Sequence, residues 1–222
     1  LARVCANPRN PKFNHYLFES LAVLVRVACG ADPKAAATFE QLLFPPFQQV
    51  LQLDVVEFAP YVFQILALLL GYRGAKSGLG DAYASLLPPL LHPSLWERRG
   101  NVPALAALLE AYLVAGAAHV VQSGQLEAML GVFQKLLATK ASECHAFGML
   151  KAIVRHVPGP AFEPYLPTVL QLLLTRLQQN TDRCTYCHAL LAFFGLLAGT
   201  YGPQSLVNKL DAQQPGMLPQ LV

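Results

Sequence analysis

Five segments of the chain read as the second helix of a helical hairpin. They begin near Asn14, Val55, Asn101, Ser142 and Arg183, at spacings of 41, 46, 41 and 41 residues. A period in the forties built from two amphipathic helices is the signature of a HEAT-type α-solenoid. Each hairpin there is too small to bury its own apolar face and must share it with its neighbours. The expected fold is all-α: about five antiparallel helix pairs stacked as one HEAT-repeat segment over residues 1–222, with no separate second domain.

The faces of individual helices support that period. From Leu126 to Leu137 the residues Leu126, Met129, Leu130, Phe133, Leu136 and Leu137 keep the i, i+3, i+4, i+7 rhythm, with Glu127, Gln134 and Lys135 turned away. The rhythm returns in Leu166, Val169, Leu170, Leu173 and Leu177. The stretches Tyr61 to Leu70, Leu105 to Leu113 and Leu190 to Leu197 are apolar on nearly every side, as expected of helices held between neighbouring repeats. No run of four to eight residues alternates apolar and polar between turn signals, so no sheet is expected.

Only 13% of the residues are charged, against roughly 25% in an average domain, so much of the surface is expected to be covered. Sixteen Lys and Arg against thirteen Asp and Glu leave a net charge of +3, too small and too scattered for a nucleic-acid stripe. Cys184 to Asn208 carries no formal charge. Its dense apolar part, Ala189 to Ala198, is nevertheless shorter than the about 20 residues a membrane span needs, so no membrane insertion is expected. A first residue other than Met and a Pro-rich end suggest a piece of a longer solenoid. Cysteines without disulfide-like spacing suggest a reducing compartment.

Turns are expected at Gly30 to Pro33, Gly71 to Gly80, Pro93, Gly100, Ser123–Gly124, Pro158 to Pro160 and Gly202–Pro203. Asp32, Asp81, Asn101 and Ser142 are placed as N-caps. Tyr72 to Gly80 reads as a mobile loop. It lacks the spacing and the preceding strand of a phosphate-binding loop. Pro45–Pro46 and Pro88–Pro89 fall inside helical runs and predict a kink or a restart at each place.

Two constellations could carry chemistry. Cys184-Thr185-Tyr186-Cys187-His188 matches the C-x-x-C-H string of covalent haem attachment. However, Cys187 shares a helical face with Leu190, Phe194 and Leu197, which reads as core. Cys184 and His188, with Cys144 and His145 one repeat earlier, could meet around zinc, but the paired knuckle spacing is missing. Neither is expected to bind, and no cofactor or metal is assigned. No nucleophile and base pair or convergent carboxylates can be assembled, so no catalytic residue is assigned either. Trp96 sits beside Glu97-Arg98-Arg99-Gly100-Asn101, a composition that suits an interface hot spot and equally a hairpin anchor with ion pairs between repeats. Glu97, Arg98, Arg99 and Asn101, with Arg73 and Lys76, are expected to form a polar partner-facing rim.

Particular strings add to the periodicity. PKFNHYLFES at Pro11 to Ser20, FAPYVFQILALLL at Phe58 to Leu70, LHPSLWERRGNVPALAALLEAYL at Leu91 to Leu113 and GVFQKLLATKAS at Gly131 to Ser142 resemble the carboxy-terminal half of exportins of the importin-β (karyopherin-β) superfamily. The resemblance runs from about Pro11 to about Met217. It implies a transport receptor without enzymatic activity that wraps importin-α together with Ran in its GTP form, meets nuclear pore proteins and shuttles between nucleus and cytoplasm. The chain departs from that pattern at Pro45–Pro46, in the glycine-rich Tyr72 to Gly80 stretch and at Cys184 to His188.

Overall fold

The computed structural model describes Val4, residues 10–179 and residues 184–213. The side chains of Ala75, Lys76, Ser77 and Cys184 lie outside the description. Among the described residues there are helices and turns and no strand. The long helices are α1 (Pro11–Ala31), α2 (Ala35–Gln52), α3 (Ala59–Ser77), α4 (Asp81–Leu90), α5 (Val102–Gln122), α6 (Gln125–Leu137), α7 (Glu143–His156), α8 (Leu166–Gln178), α9 (Cys184–Tyr201) and α10 (Pro203–Gln213). Short turns of helix occupy Pro93–Trp96, Gly159–Phe162 and Glu163–Tyr165. The odd-numbered helices are the second members of hairpins and begin at residues 11, 59, 102, 143 and 184, close to the expected starts. Arg183 itself lies outside the described residues.

Two compact units divide the chain, Leu1–His119 and Val120–Val222, with the division in the last turn of α5. In the first unit α1 packs on α3 and on α2, and α2 packs on α3. The core there holds Phe18, Val25, Phe47, Phe63, Leu66 and Leu69. Tyr83 stands edge-on to Phe44 at 4.9 Å and to Tyr112 at 6.0 Å, and the Tyr112 hydroxyl donates to the Tyr83 carbonyl at 2.8 Å. In the second unit α7 packs on α6 and α9, α10 packs on α9 and α8, and α8 touches α9. Its core is built from Met129, Phe133, Phe147, Ile153, Leu170 and Phe193. Second helix lies on second helix in α1 with α3 and in α7 with α9, and first on first in α8 with α10.

Several local expectations need correction. Pro45–Pro46 lies inside α2, which runs unbroken from Ala35 to Gln52. The carbonyls left without a donor belong to Gln41 and Leu42, both exposed, where water can take the place of the missing N–H. Pro88–Pro89 falls in the last turn of α4, and the chain leaves it through the Leu91 and His92 amides bonded to the two proline carbonyls. This pair ends a helix and does not kink one. The Tyr72 to Gly80 stretch is no simple loop, because α3 continues to Ser77 across a non-helical Gly74 and Arg73 ties the stretch down. Of the expected N-caps, Asp32 closes α1 and accepts the Lys34 amide at 3.0 Å, while Asp81 sits in the first turn of α4 after the cap Gly80.

α5 is long and apolar enough to cross a membrane by length and composition, and 44% of its most apolar window is buried inside the protein. Leu105, Leu108, Leu109, Tyr112 and Leu113 are fully buried, which accounts for its composition as that of a core helix. The apolar helix Thr185–Tyr201 is shorter.

Candidate partner-binding surface

α2 ends at Gln52, and the chain turns back into α3 through Asp54, whose φ of 50° lies in the left-handed region that Asp tolerates better than most residues. On the next repeat, α4 ends at Leu90 and a short turn, Pro93–Trp96, brings the chain round to α5. His92 opens that turn, its Nδ1 within 2.8 Å of the Ser94 hydroxyl. Trp96 is buried, and its indole N–H donates to the Leu90 carbonyl at 2.9 Å, so it fastens the turn to the helix before it. With Trp96 fixed, Arg98 reaches Asp54 through both guanidinium nitrogens, Nη1 to Oδ1 at 2.5 Å and Nη2 to Oδ2 at 2.6 Å. The partners stand 44 residues apart, one repeat. These hydrogen bonds, ahead of simple charge attraction, hold the Asp54 carboxyl below the usual carboxylate range and raise the Arg98 guanidinium.

Beside this pair lies a groove of about 500 Å³ within the first unit. Phe44, Phe47 and Leu51 of α2, Phe63 and Leu66 of α3, and Leu86 and Leu90 of α4 form its walls. Asp54, His92, Ser94 and Gln48 sit at its lip. An apolar floor with a few polar groups at the edge suits the burial of side chains from another protein.

The rim residues predicted from the sequence do not form one surface. Glu97 and Arg99 are exposed and flank the half-buried Arg98. Asn101 is 2% exposed, and its amide donates to the Leu95 carbonyl at 3.3 Å, which removes it from any exposed rim. The Asn101 carbonyl accepts the first hydrogen bond of α5, so its backbone occupies the capping position while its side chain turns inward. Arg73 is engaged elsewhere, donating from Nη1 to Glu40 Oε2 at 2.7 Å and from Nε to the Gly78 carbonyl at 3.4 Å. The Lys76 side chain lies outside the described residues. Asp54 and Glu40, the acids that organise the two arginines, were missed. The signal for Asp54 was its place after an apolar helix, about one repeat from Arg98.

The second-unit constellation is equally dispersed. Cys144 is exposed, His145 and Cys187 are half-buried, and His188 is exposed. Cys184 opens α9, but its side chain is not described. Among the described residues no group of three or more His, Cys, Asp and Glu converges as metal ligands would.

A family model described as CAS/CSE protein, C-terminus, matches residues 1–222, the whole chain. The chain belongs to the CAS/CSE family. Among curated relatives of this CAS/CSE chain, Exportin-2 of Danio rerio is 42% identical over 224 residues, covering 100% of the chain and 23% of the relative. Exportin-2 of Homo sapiens is 40% identical over 219 residues, covering 98% and 22%. Exportin-2 of Drosophila melanogaster is 37% identical over 222 residues, covering 100% and 23%. A solved structure, the exportin Cse1 in its cargo-free, cytoplasmic state, superimposes with a TM-score of 0.88 at 33% identity over 99% of the chain and 23% of that protein. The CAS/CSE chain therefore spans less than a quarter of the length of these relatives, and its hairpins are HEAT repeats of an α-solenoid.

Proposed function

We propose that this chain is a segment of a nuclear export receptor. In the complete polypeptide it takes part in binding importin-α together with Ran in its GTP form, and in returning importin-α from nucleus to cytoplasm past the nuclear pore proteins. The observation that carries the reading is the match of the whole chain to the CAS/CSE carboxy-terminal region, joined to the superposition on the exportin Cse1 at a TM-score of 0.88. Both compact units are parts of one run of repeats, and the chain has no enzymatic activity.

The physical argument is that repeats touching only their neighbours can rotate slightly at each interface, so a run of them can close around a protein cargo. Cargo and Ran that stabilise the same closed state bind with reciprocal coupling. Glu97, Arg98 and Arg99, beside the apolar groove, form the contact surface of this segment, and Arg73, held by Glu40, stands apart from it. The test is a pull-down with the complete polypeptide, comparing importin-α recovery with GTP-locked and GDP-bound Ran. Much greater recovery with GTP-locked Ran is expected, whereas equal recovery, or no recovery of either protein, sinks the export reading in favour of a HEAT scaffold with other partners.

A further inference from the structure

The same four side chains recur in the two compact units. Glu40, Phe44, Arg73 and Tyr83 are matched by Glu143, Phe147, Arg176 and Tyr186, each offset by the same 103 residues. That offset is about two and a half periods, so the recurrence does not come from the repeat itself: Glu40 lies on the first helix of a hairpin and Glu143 on a second helix. The geometry is shared as well. In the first unit Arg73 Nη1 donates to Glu40 Oε2 at 2.7 Å, and Phe44 stands edge-on to Tyr83 at 4.9 Å. In the second, Arg176 Nη2 donates to Glu143 Oε1 at 3.0 Å, and Phe147 stands edge-on to Tyr186 at 5.3 Å. Both glutamates are 8% exposed, and a buried carboxylate held by one arginine is costly unless its remaining lone pairs also find donors.

The two sets differ in how far they are closed. The Tyr186 hydroxyl donates to the Leu173 carbonyl at 2.8 Å, and its helix α9 packs on α7 and touches α8. The Tyr83 hydroxyl reaches the Leu66 carbonyl only at 3.5 Å, and Glu40 Oε1 is buried without a hydrogen bond. Helix α4, which carries Tyr83, stands off from α2 and α3. The groove of about 500 Å³ lies between them, with Phe44 and Leu66 in its walls on one side and Ala82, next to Tyr83, on the other. Burial first, and then the charge of Glu40, push the Tyr83 pKa up, so the hydroxyl keeps its proton beside a carboxylate with an acceptor to spare. Leu66 lies inside α3, where its carbonyl has a helical donor of its own, so the hydroxyl can leave it at little cost.

We infer that Glu40, Arg73 and Tyr83 form a two-position clasp that sets the width of the groove. In the open position, the one observed, the hydroxyl rests near the Leu66 carbonyl and the groove admits apolar side chains of a partner. In the closed position the hydroxyl donates to Glu40 Oε1, α4 is drawn onto α2, and Leu86 and Leu90 of α4 take up the groove. Arg73 holds the Glu40 carboxylate in place for both. A partner seated in the groove and the closed clasp exclude each other, so binding selects the open position. The link to a partner rests on the contact surface proposed above; the two positions themselves do not.

The test places spin labels at Gln49 on α2 and Pro88 on α4, exposed residues outside the groove lining. Their separation is read in the complete polypeptide by pulsed electron paramagnetic resonance, and two distance populations are expected. Tyr83→Phe, which keeps the ring and removes the hydroxyl, should leave only the longer one. Tyr186→Phe, the same change in the second unit, should leave both. Adding importin-α and GTP-locked Ran should shift the unaltered protein to the longer distance. Tyr83→Phe should then bind them more tightly by the reciprocal of the open fraction, about twofold where half the molecules are open. A single distance common to the unaltered protein and Tyr83→Phe overturns the clasp, as does an equal effect of Tyr186→Phe. Bound partner that leaves the distances unchanged, or weaker binding by Tyr83→Phe, overturns its control of the contact surface. Should Tyr83→Phe not fold, Glu40→Gln weakens the same acceptor and should move the population toward the longer distance; no movement overturns the clasp. A pull-down that recovers neither importin-α nor Ran sinks the export reading and leaves the distances to decide the clasp, so the two readings are separable.

Discussion

Two buried polar side chains at helix starts do the same job one period apart. The Ser142 hydroxyl donates to the Leu136 carbonyl at 2.6 Å, and the Asn101 amide donates to the Leu95 carbonyl at 3.3 Å, each reaching back six residues. Both were read as caps that serve the helix ahead, yet their side chains serve the turn behind, where a buried carbonyl would otherwise lack a donor. The position of each residue was legible in the sequence because polar residues mark helix starts. The direction of the side chain was not, because it depends on which carbonyl the turn buries. The exposed Asp54–Arg98 pair gives the residue-scale prediction. With its carboxyl depressed in the folded protein, Asp54 adds to stability above its unfolded value near about 3.9 and loses that contribution as pH falls through the folded value. An NMR titration is expected to place Asp54 below ordinary aspartates in the native chain and to return it to the ordinary range in Arg98→Gln. An Asp54 that titrates alike in both would mean that the two side chains do not pair in solution.

At the level of elements, the glycines and prolines of this chain do different things from what their local rules suggest. Gly124 follows the rule, taking a left-handed φ of 70° in the tight turn from α5 to α6. Gly116 gave no turn signal, since it lies in the middle of an apolar run, yet α5 is non-helical there, with φ −152° and ψ 38°. A Cβ at Gly116 would come within 2.9 Å of the Leu79 Cβ, so the bend makes room for a side chain carried in from the end of the α3–α4 connection. The sequence displayed the apolar run but not this contact, which joins residues 37 positions apart. Gly116→Ala is therefore expected to destabilise the protein by about 1–3 kcal/mol in urea denaturation, as overpacking does. Leu79→Gly, which removes the clashing Cβ, should recover part of the loss when combined with it, a coupling that a double-mutant cycle measures. Strict additivity of the two changes would remove the steric explanation.

For the molecule as a whole, the period and the alternation of one-faced and all-round apolar helices were enough to read the fold, because in a repeat protein the same local pattern recurs and each copy corroborates the others. The candidate binding surface was far less legible. Asp54 with Arg98 joins neighbouring repeats and Glu40 with Arg73 joins the two helices of one hairpin, and a single pass along the chain does not reveal which polar residues so far apart meet. The same geometry governs stability. Each helix touches near neighbours, and Leu1–His119 and Val120–Val222 are each compact, so a defect should be felt locally and should fade along the chain. Ile65→Ala removes a fully buried side chain from α3 and should cost about 2–5 kcal/mol at that site. Hydrogen exchange monitored by mass spectrometry is then expected to accelerate in α1 to α4 and to stay unchanged in α8, α9 and α10. Equal acceleration in every helix would mean that the repeats unfold as one cooperative block. A run of repeats so tightly coupled could not make the small independent rotations that the proposed closure on a cargo requires.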